Sequence, residues 1–457
     1  MRAVLTVIVM LITGTVNAAR IEGSLQVLWG DAQPGSGHAD KLLVLLDTGA
    51  EVHELDADES LMAAEDLYSL QGKAVTVETV AMAKTDGGAL VPELIVPIDG
   101  AGTKSLVEPD ESRPWVVLLC RFADIAGEPE TPAYFTSMYG PSEDQLGGYW
   151  AAMSGGRIQM NEGRVHGWYG LPQSRSDYLR SNGSADLGKL FNDCIGAADA
   201  DVDFSNDGIG LAGIQLMFNA PLDCCAWAGK LRATLDGMSG TWRVAWLPPF
   251  AYRNVAGLAH EIGHTFGLAH SNNSDGDADP YDNVWDVMSD PYRNSVSDAV
   301  FGALPKGLSA YQRDRAGWVA PERKRVVGPD ETVRVQLGYL GEDTPGLDLV
   351  LVQYDVDAPW RTLAIDARST RTFEDAELPD KAVILHQVDT TRREPAWSVD
   401  TDQVVSDVSD NEGSMFRVGE RYRSADKLLT VEILGQSATG FEVEVTTVPV
   451  LFSDDFS

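Results

Sequence analysis

Residues 260–270 read His-Glu-Ile-Gly-His-Thr-Phe-Gly-Leu-Ala-His, and no other stretch restricts the folding of this chain so tightly. The chain contains seven histidines, and three of them fall inside this segment. His260 and His264 are four apart, so a helix presents both on one face, one turn apart. Glu261 is offset by one residue, where its carboxylate reaches a metal-bound water and not the metal. His270 lies six residues beyond His264, and at 3.6 residues per turn six steps swing it off that face. A helix over residues 254–268 must therefore end and the chain turn back. Gly267 is the residue that takes a positive φ at little cost.

Three imidazoles with an open fourth position describe a catalytic zinc site, whereas structural sites are closed by four protein ligands. The expectation is that His260, His264 and His270 hold Zn2+ and that Glu261 takes a proton from the bound water and passes it to the leaving amine. A bare pair of histidines four apart is often only a solvated helix face. The added glycine and third histidine separate this segment from that reading.

The segment resembles the metzincin superfamily of zinc endopeptidases, in which a tight turn carries a methionine beneath the metal. Met288, in Trp285-Asp286-Val287-Met288-Ser289, stands 18 residues after His270 and matches that methionine. Some metzincins carry a tyrosine two residues later. Here that position is Asp290, with Tyr292 further on, so no tyrosine ligand is assigned. Residues 115–124, 145–170 (with Tyr149-Trp150, Ser154-Gly155-Gly156 and Gly167-Trp168-Tyr169), 308–318 and 363–388 are similar to the immune inhibitor A family of secreted bacterial metallopeptidases. The gametolysin family is a close second. The resemblance spans roughly residues 112–390 and implies an endopeptidase acting on protein or peptide substrates, often extracellular ones. The fold it implies is α+β: a metzincin-like catalytic domain of mixed twisted sheet and active-site helix, flanked by two β-rich units.

The rest of the chain divides around that motif. Arg2, an apolar run over 3–16 and Val16-Asn17-Ala18 have the anatomy of an export signal cleaved after Ala18, and no later run is long and apolar enough for a membrane span. Residues 19–110 read as a β-rich domain or propeptide, with strands at 24–29, 41–46 and 74–80 and a helix at 63–71. No constellation there suggests chemistry, and no cysteine precedes Cys120 to plug a zinc site. The catalytic unit is expected over 111–325, closed by a helix at 309–318. A β-sandwich-like domain follows over 326–448, with a tail at 449–457. A net charge of −34 opposes binding to nucleic acid or anionic membranes.

Four cysteines permit two disulfides. Adjacent Cys224 and Cys225 are not expected to pair, and Cys194 with one of them is preferred. Two acidic clusters, Asp199, Asp201, Asp203 with Asp207, and Asp275, Asp277, Asp279, read either as Ca2+ ligands or as solvated turns. The alternative to an enzyme is a non-catalytic extracellular binding protein that keeps a structural metal, and hydrolysis of a non-peptide amide is a third reading.

Overall fold

The computed structural model describes residues 18–85, 88–98, 113–160, 164–208, 210–275, 281–401 and 412–448. The expected export signal before Ala18, the expected division at 110/111, Asp277, Asp279 and the 449–457 tail lie outside them.

The mixed α/β fold begins with a strand longer than its own unit requires. Strand β1 (Ala18–Ala32) turns Leu25, Val27 and Trp29 into an N-terminal core, as alternation demands. Strands β2 (Lys41–Asp47), β3 (Val52–Leu55), β4 (Ala74–Lys84) and β5 (Leu90–Pro97) complete this unit, and their pairings run in a closed ring back to β1. The helix expected at 63–71 is instead two pieces. Helix α1 (Ala57–Ala63) is capped by Asp56, which accepts the Glu59 N–H. A short 3-10 turn, Leu67–Leu70, is capped by Asp66. Ala64 is extended between them, because Asp66 offers the backbone an alternative to continuing the helix.

The central unit is built on strands β6 (Trp115–Arg121), β7 (Arg164–Gly170), β8 (Gly213–Phe218), β9 (Cys225–Leu235) and β10 (Met238–Leu247). β7, β6, β8 and β10 are parallel neighbours, and β9 runs antiparallel beside β10. β6 and β8 are buried on both faces, which is why they read as unbroken apolar runs. Helices α2 (Pro132–Met138) and α3 (Leu146–Met153) cover one face, and α4 (Leu187–Ala198) covers the other. The short helix α5 (Pro249–Tyr252) leads into α6 (Val255–Thr265), every residue of which is buried.

One expectation, the cysteine pairing, is corrected here. Residues 28–32 of β1 pair antiparallel with β9, so the N-terminal strands and the central strands share one ten-stranded sheet. That pairing covers a sheet edge that would otherwise expose its backbone. The cysteines pair as Cys120–Cys194 and Cys224–Cys225. Cys120 on β6 faces α4 across the core with a Cα separation of 6.0 Å, which leaves the two neighbours to each other.

Directly after His270, β11 (Ser271–Asn273) leaves the central unit. A hairpin of β12 (Val296–Asp298) and β13 (Gly302–Leu304) and helix α7 (Ala310–Arg315) follow. The helix expected at 309–318 stops early because Gly317 turns with φ +79°. Strands β14 (Lys324–Val327), β15 (Thr332–Gly338), β16 (Leu349–Val352), β17 (Arg361–Arg368), β18 (Ala382–Asp389), β19 (Ala396–Ser398), β20 (Arg421–Arg423), β21 (Leu429–Ser437) and β22 (Gly440–Thr447) form two sheets packed over one core. β11 is the edge of the larger sheet, pairing in parallel with β19. Fully buried Arg368 on β17 pairs with Asp375 and donates to the carbonyl of Trp285. The C-terminal sheets therefore hold both the exit from His270 and the turn that carries Met288. A chain ending at residue 325 is expected to lose zinc binding and cooperative thermal unfolding, as checked by metal analysis and calorimetry. A truncated protein that binds zinc at full stoichiometry contradicts this coupling.

Candidate metal centre

Helix α6 ends as its sequence requires. Gly267 adopts φ +88°, its N–H bonds the His264 carbonyl at 3.0 Å, and the Leu268 N–H bonds the Gly263 carbonyl at 3.3 Å. This is the Schellman arrangement, in which a left-handed residue just past the helix satisfies its last carbonyls. The reversal brings His270 back over the helix. The three Nε2 atoms converge, with His260 lying 3.2 Å from His270 and 3.3 Å from His264.

The ring orientations follow from partners on the other nitrogen. His260 Nδ1 lies 2.8 Å from the Val287 carbonyl, and His264 Nδ1 lies 2.7 Å from the Leu268 carbonyl. A carbonyl only accepts, so each Nδ1 carries the hydrogen and each Nε2 of the neutral ring points a lone pair inward. Converging lone pairs in a buried site repel unless a cation takes them. Tetrahedral ligands at about 2.0–2.1 Å from a zinc lie about 3.3 Å apart, so the observed spacing fits that ion.

Met288 sits beneath this group. A Cβ on Gly263 would come within 2.3 Å of its sulfur, so the glycine between the two helical histidines makes room for it. The turn itself is pinned by Asp286, which accepts the N–H of Met288 at 2.9 Å and of Ser309 at 3.2 Å. Ser271 N–H returns to the Met288 carbonyl at 2.9 Å, which locks His270 to the same turn.

The residue that sequence reasoning missed is Asp31, near the end of β1. Its Oδ2 lies 3.1 Å from His260 Nε2 and 3.0 Å from His264 Nε2, and its Oδ1 lies 3.0 Å from His270 Nε2. Asp31, His260, His264 and His270 form a buried group of four able to hold one ion. Burial alone would raise the pKa of Asp31. The charges of His270 and His264 and hydrogen bonds from His260 and His264 outweigh it and hold the carboxyl well below its usual range, an arrangement that needs a proton on the imidazoles and is therefore an alternative to metal binding. Burial lowers His264 to about 4.

Trp29, on the same face of β1, stacks at 5.1 Å on His264 and lies 4.3 Å from His270. Gly30 between them allows β1 to lie flat on Trp227, whose ring would meet a Cβ at 2.8 Å. A glycine and an aspartate closing an otherwise apolar strand were the available signal, since both are poor strand residues.

Glu261 is buried, and among the described residues its Oε2 has no hydrogen-bond partner. Burial, with the charges of Asp31 and Asp40 adding to it, raises its pKa well above the usual carboxyl value. It borders a cavity of about 270 Å³ whose walls include Phe250, Ala251, Gly257, Tyr281, Asp290 and Tyr292.

Among the described residues, Asp199, Asp201, Asp203 and Asp207 are not brought together as a cation site, and Asp277 and Asp279 of the second cluster lie outside them. Asp203 spends its oxygens on the N–H groups of Ser205 and Asp207, and Asp201 accepts from Tyr169. Asp199 caps α4 in helical backbone. Asp275 lies beside the undescribed segment that contains Asp277 and Asp279. The acidic turn thus uses its carboxylates to close its own backbone.

Comparison with known proteins adds little. No family model matches this chain, and no curated protein matches it. Among solved structures, a crystal structure of wild-type OgpA from Akkermansia muciniphila is similar over 63% of this chain and 92% of its own, at 13% identity and a TM-score of 0.26. A score that low carries no argument about fold or function.

His264→Ala is expected to abolish tight zinc binding by the full chain, whereas Asp31→Ala should retain one zinc per chain, both read by metal analysis after dialysis. Zinc lost equally from both proteins would make Asp31 a required ligand and not a removable one.

Proposed function

We propose that this chain is a secreted zinc-dependent endopeptidase, held latent by its own N-terminal segment. The observation that carries the reading is the buried, unpartnered Glu261 oxygen beside three converging imidazoles. A purely structural metal site gains nothing from a desolvated carboxylate, which costs stability wherever it is not used. That cost is what a general base near its working pH requires. The helix, the glycine turn and Met288 beneath it also agree with the metzincin resemblance, and so do the mixed sheet and its active-site helix.

Zinc, when bound, supplies a Lewis acid that acidifies a water and polarises the scissile carbonyl. Glu261 accepts the proton of that water at Oε2 and returns it to the amine nitrogen as the peptide bond breaks. Val287 and Leu268 hold His260 and His264 in the tautomer that leaves Nε2 free. Burial raises the pKa of Glu261, and activity should fall as pH is lowered because protonation removes the base.

Latency follows from Asp31, which fills the point where water and substrate carbonyl would meet. Residues 28–32 of β1 hold it there through their pairing with β9. The C-terminal unit clasps the same segment. Tyr68 donates to the Arg393 carbonyl at 2.7 Å, Arg393 donates to the Asp40 carbonyl at 3.0 Å, and Arg315 pairs with Asp66.

Full-length Asp31→Ala protein should hydrolyse casein or a mixed peptide library faster than the parent. Adding Glu261→Ala should then lower the rate about 10²–10⁴-fold, and a chelator should stop both. Cleavage that survives Glu261→Ala would sink the assigned base. A zinc-loaded Asp31→Ala protein inert on every peptide would favour the binding-protein reading.

A further inference from the structure

A disulfide between sequence neighbours closes almost no loop, so it takes little freedom from the unfolded chain and adds little to global stability. Cys120–Cys194, with a sequence separation of 74, is the bond that serves that purpose. The Cys224–Cys225 bond can act only locally, and its place is the rung beside Asp31. In the ladder of β1 with β9, Asp31 stands opposite Ala226 and Ala32 opposite Cys225. One step further, the Gln33 N–H donates to the Cys224 carbonyl at 3.2 Å. The pairing of β1 with β4 ends at Ser24 and that with β2 at Gly30, so β9 is the strand that holds Asp31 and Ala32.

The chain on either side of the two cysteines is fixed by other means. Asp223 accepts the N–H of Cys225, the indole N–H of Trp227 and the N–H of Ala185, each at 3.1 Å. What is left to the disulfide is the Cys224–Cys225 peptide itself. The ring holds that peptide in the conformation that offers one carbonyl to Gln33 and the next residue to Ala32. Cys120 and Cys194 are sealed between β6 and α4, whereas Cys224 is only half-buried. Thiol–disulfide exchange needs a thiolate to reach a sulfur, and accessible disulfides are the labile ones. Residues 33–39, which follow, are exposed, so lifting them uncovers little apolar surface.

We propose that Cys224 and Cys225 are a redox modification site: a dithiol reductant opens their bond, and the loosened start of β9 lets Asp31 leave the histidines. The inference rests on the latency reading above. A thiolate of the reductant attacks the Cys224 sulfur and displaces the Cys225 thiolate, which takes up a proton. The second thiol of the reductant gives up its proton and attacks the reductant sulfur now bonded to Cys224. That step closes a cyclic disulfide and frees Cys224, which is protonated in turn. Two electrons pass from the dithiol to the protein, and two thiols replace one disulfide. The opened peptide regains rotation at 224 and 225, so the rungs to Gln33 and Ala32 fray first. The same exchange run backwards with the oxidised dithiol restores the hold.

The test uses the full chain and reads hydrogen exchange over residues 28–34 beside hydrolysis of a mixed peptide library. Native treatment with dithiothreitol, then alkylation and peptide mapping, should label Cys224 and Cys225 while Cys120–Cys194 stays closed. Labelling of Cys120 and Cys194 first overturns the assignment. Cys224→Ser with Cys225→Ser, which keeps the bond open without a reductant, should speed exchange at residues 31–33 and peptide hydrolysis about tenfold. If the serine protein does not fold, the alkylated parent gives the same exchange reading. In an Asp31→Ala background the two serines should change the rate less than about twofold, because no carboxylate is left to release. Unchanged exchange overturns the proposal, and so does equal acceleration with and without Asp31. Where Asp31→Ala cuts peptides, faster exchange without faster hydrolysis overturns it as well. If Asp31→Ala cuts nothing, the endopeptidase reading falls, while faster exchange at residues 31–33 still upholds the modification site.

Discussion

Three imidazole lone pairs aimed at one point cannot be left unanswered in a buried site. Much of the surrounding structure exists to impose or relieve that convergence. The Schellman turn at Gly267 imposes it, and backbone carbonyls at Val287 and Leu268 fix the ring nitrogens that take part. Met288 fills the space under the helix that Gly263 leaves. Asp31 reaches the same point from outside the central unit, where its carboxylate pairs with the imidazoles only if they carry a proton, and a divalent cation would take their lone pairs instead.

The architecture explains how an N-terminal strand reaches so far. Without β1, β9 would be the exposed edge of the central strands, and an edge must be covered or paired. β1 supplies the pairing with its last residues and in doing so carries Asp31 to the histidines. The same hydrogen bonds that complete a sheet therefore hold Asp31 against the histidines. Their removal would expose the edge and the cavity together. The C-terminal sheets brace the arrangement from the other side through β11, Arg368 and the loop that carries Arg393.

The buried charges divide into those that are spent and those that are held ready. Asp286 and Asp375 are consumed by backbone N–H groups and by Arg368, and they build the turn. The acidic turn at 199–207 is similarly spent on its own backbone and Tyr169. Glu261 is the contrast, placed by its chain neighbours and left, among the described residues, with an unpartnered oxygen at the edge of a cavity. Structure and chemistry make opposite demands on such groups, since stability favours satisfaction and catalysis favours readiness.

Local rules were legible in the sequence because they act between near neighbours. The spacing of His260, His264 and His270 demands a broken helix, and Gly267 supplies the break. The apolar runs of β6 and β8 announce strands covered on both faces. Pairings between distant segments were not legible. Nothing in residues 18–32 says which edge they will join, so Asp31 could not be assigned to histidines more than 200 residues away. Cys224 and Cys225 found each other only because the packing of α4 on β6 claimed Cys194 for Cys120. The sequence determined the three histidines and the turn that makes them converge, through backbone conformation and helical period. Tertiary structure alone decided what faces them, because strand pairing and packing join residues that no local period connects.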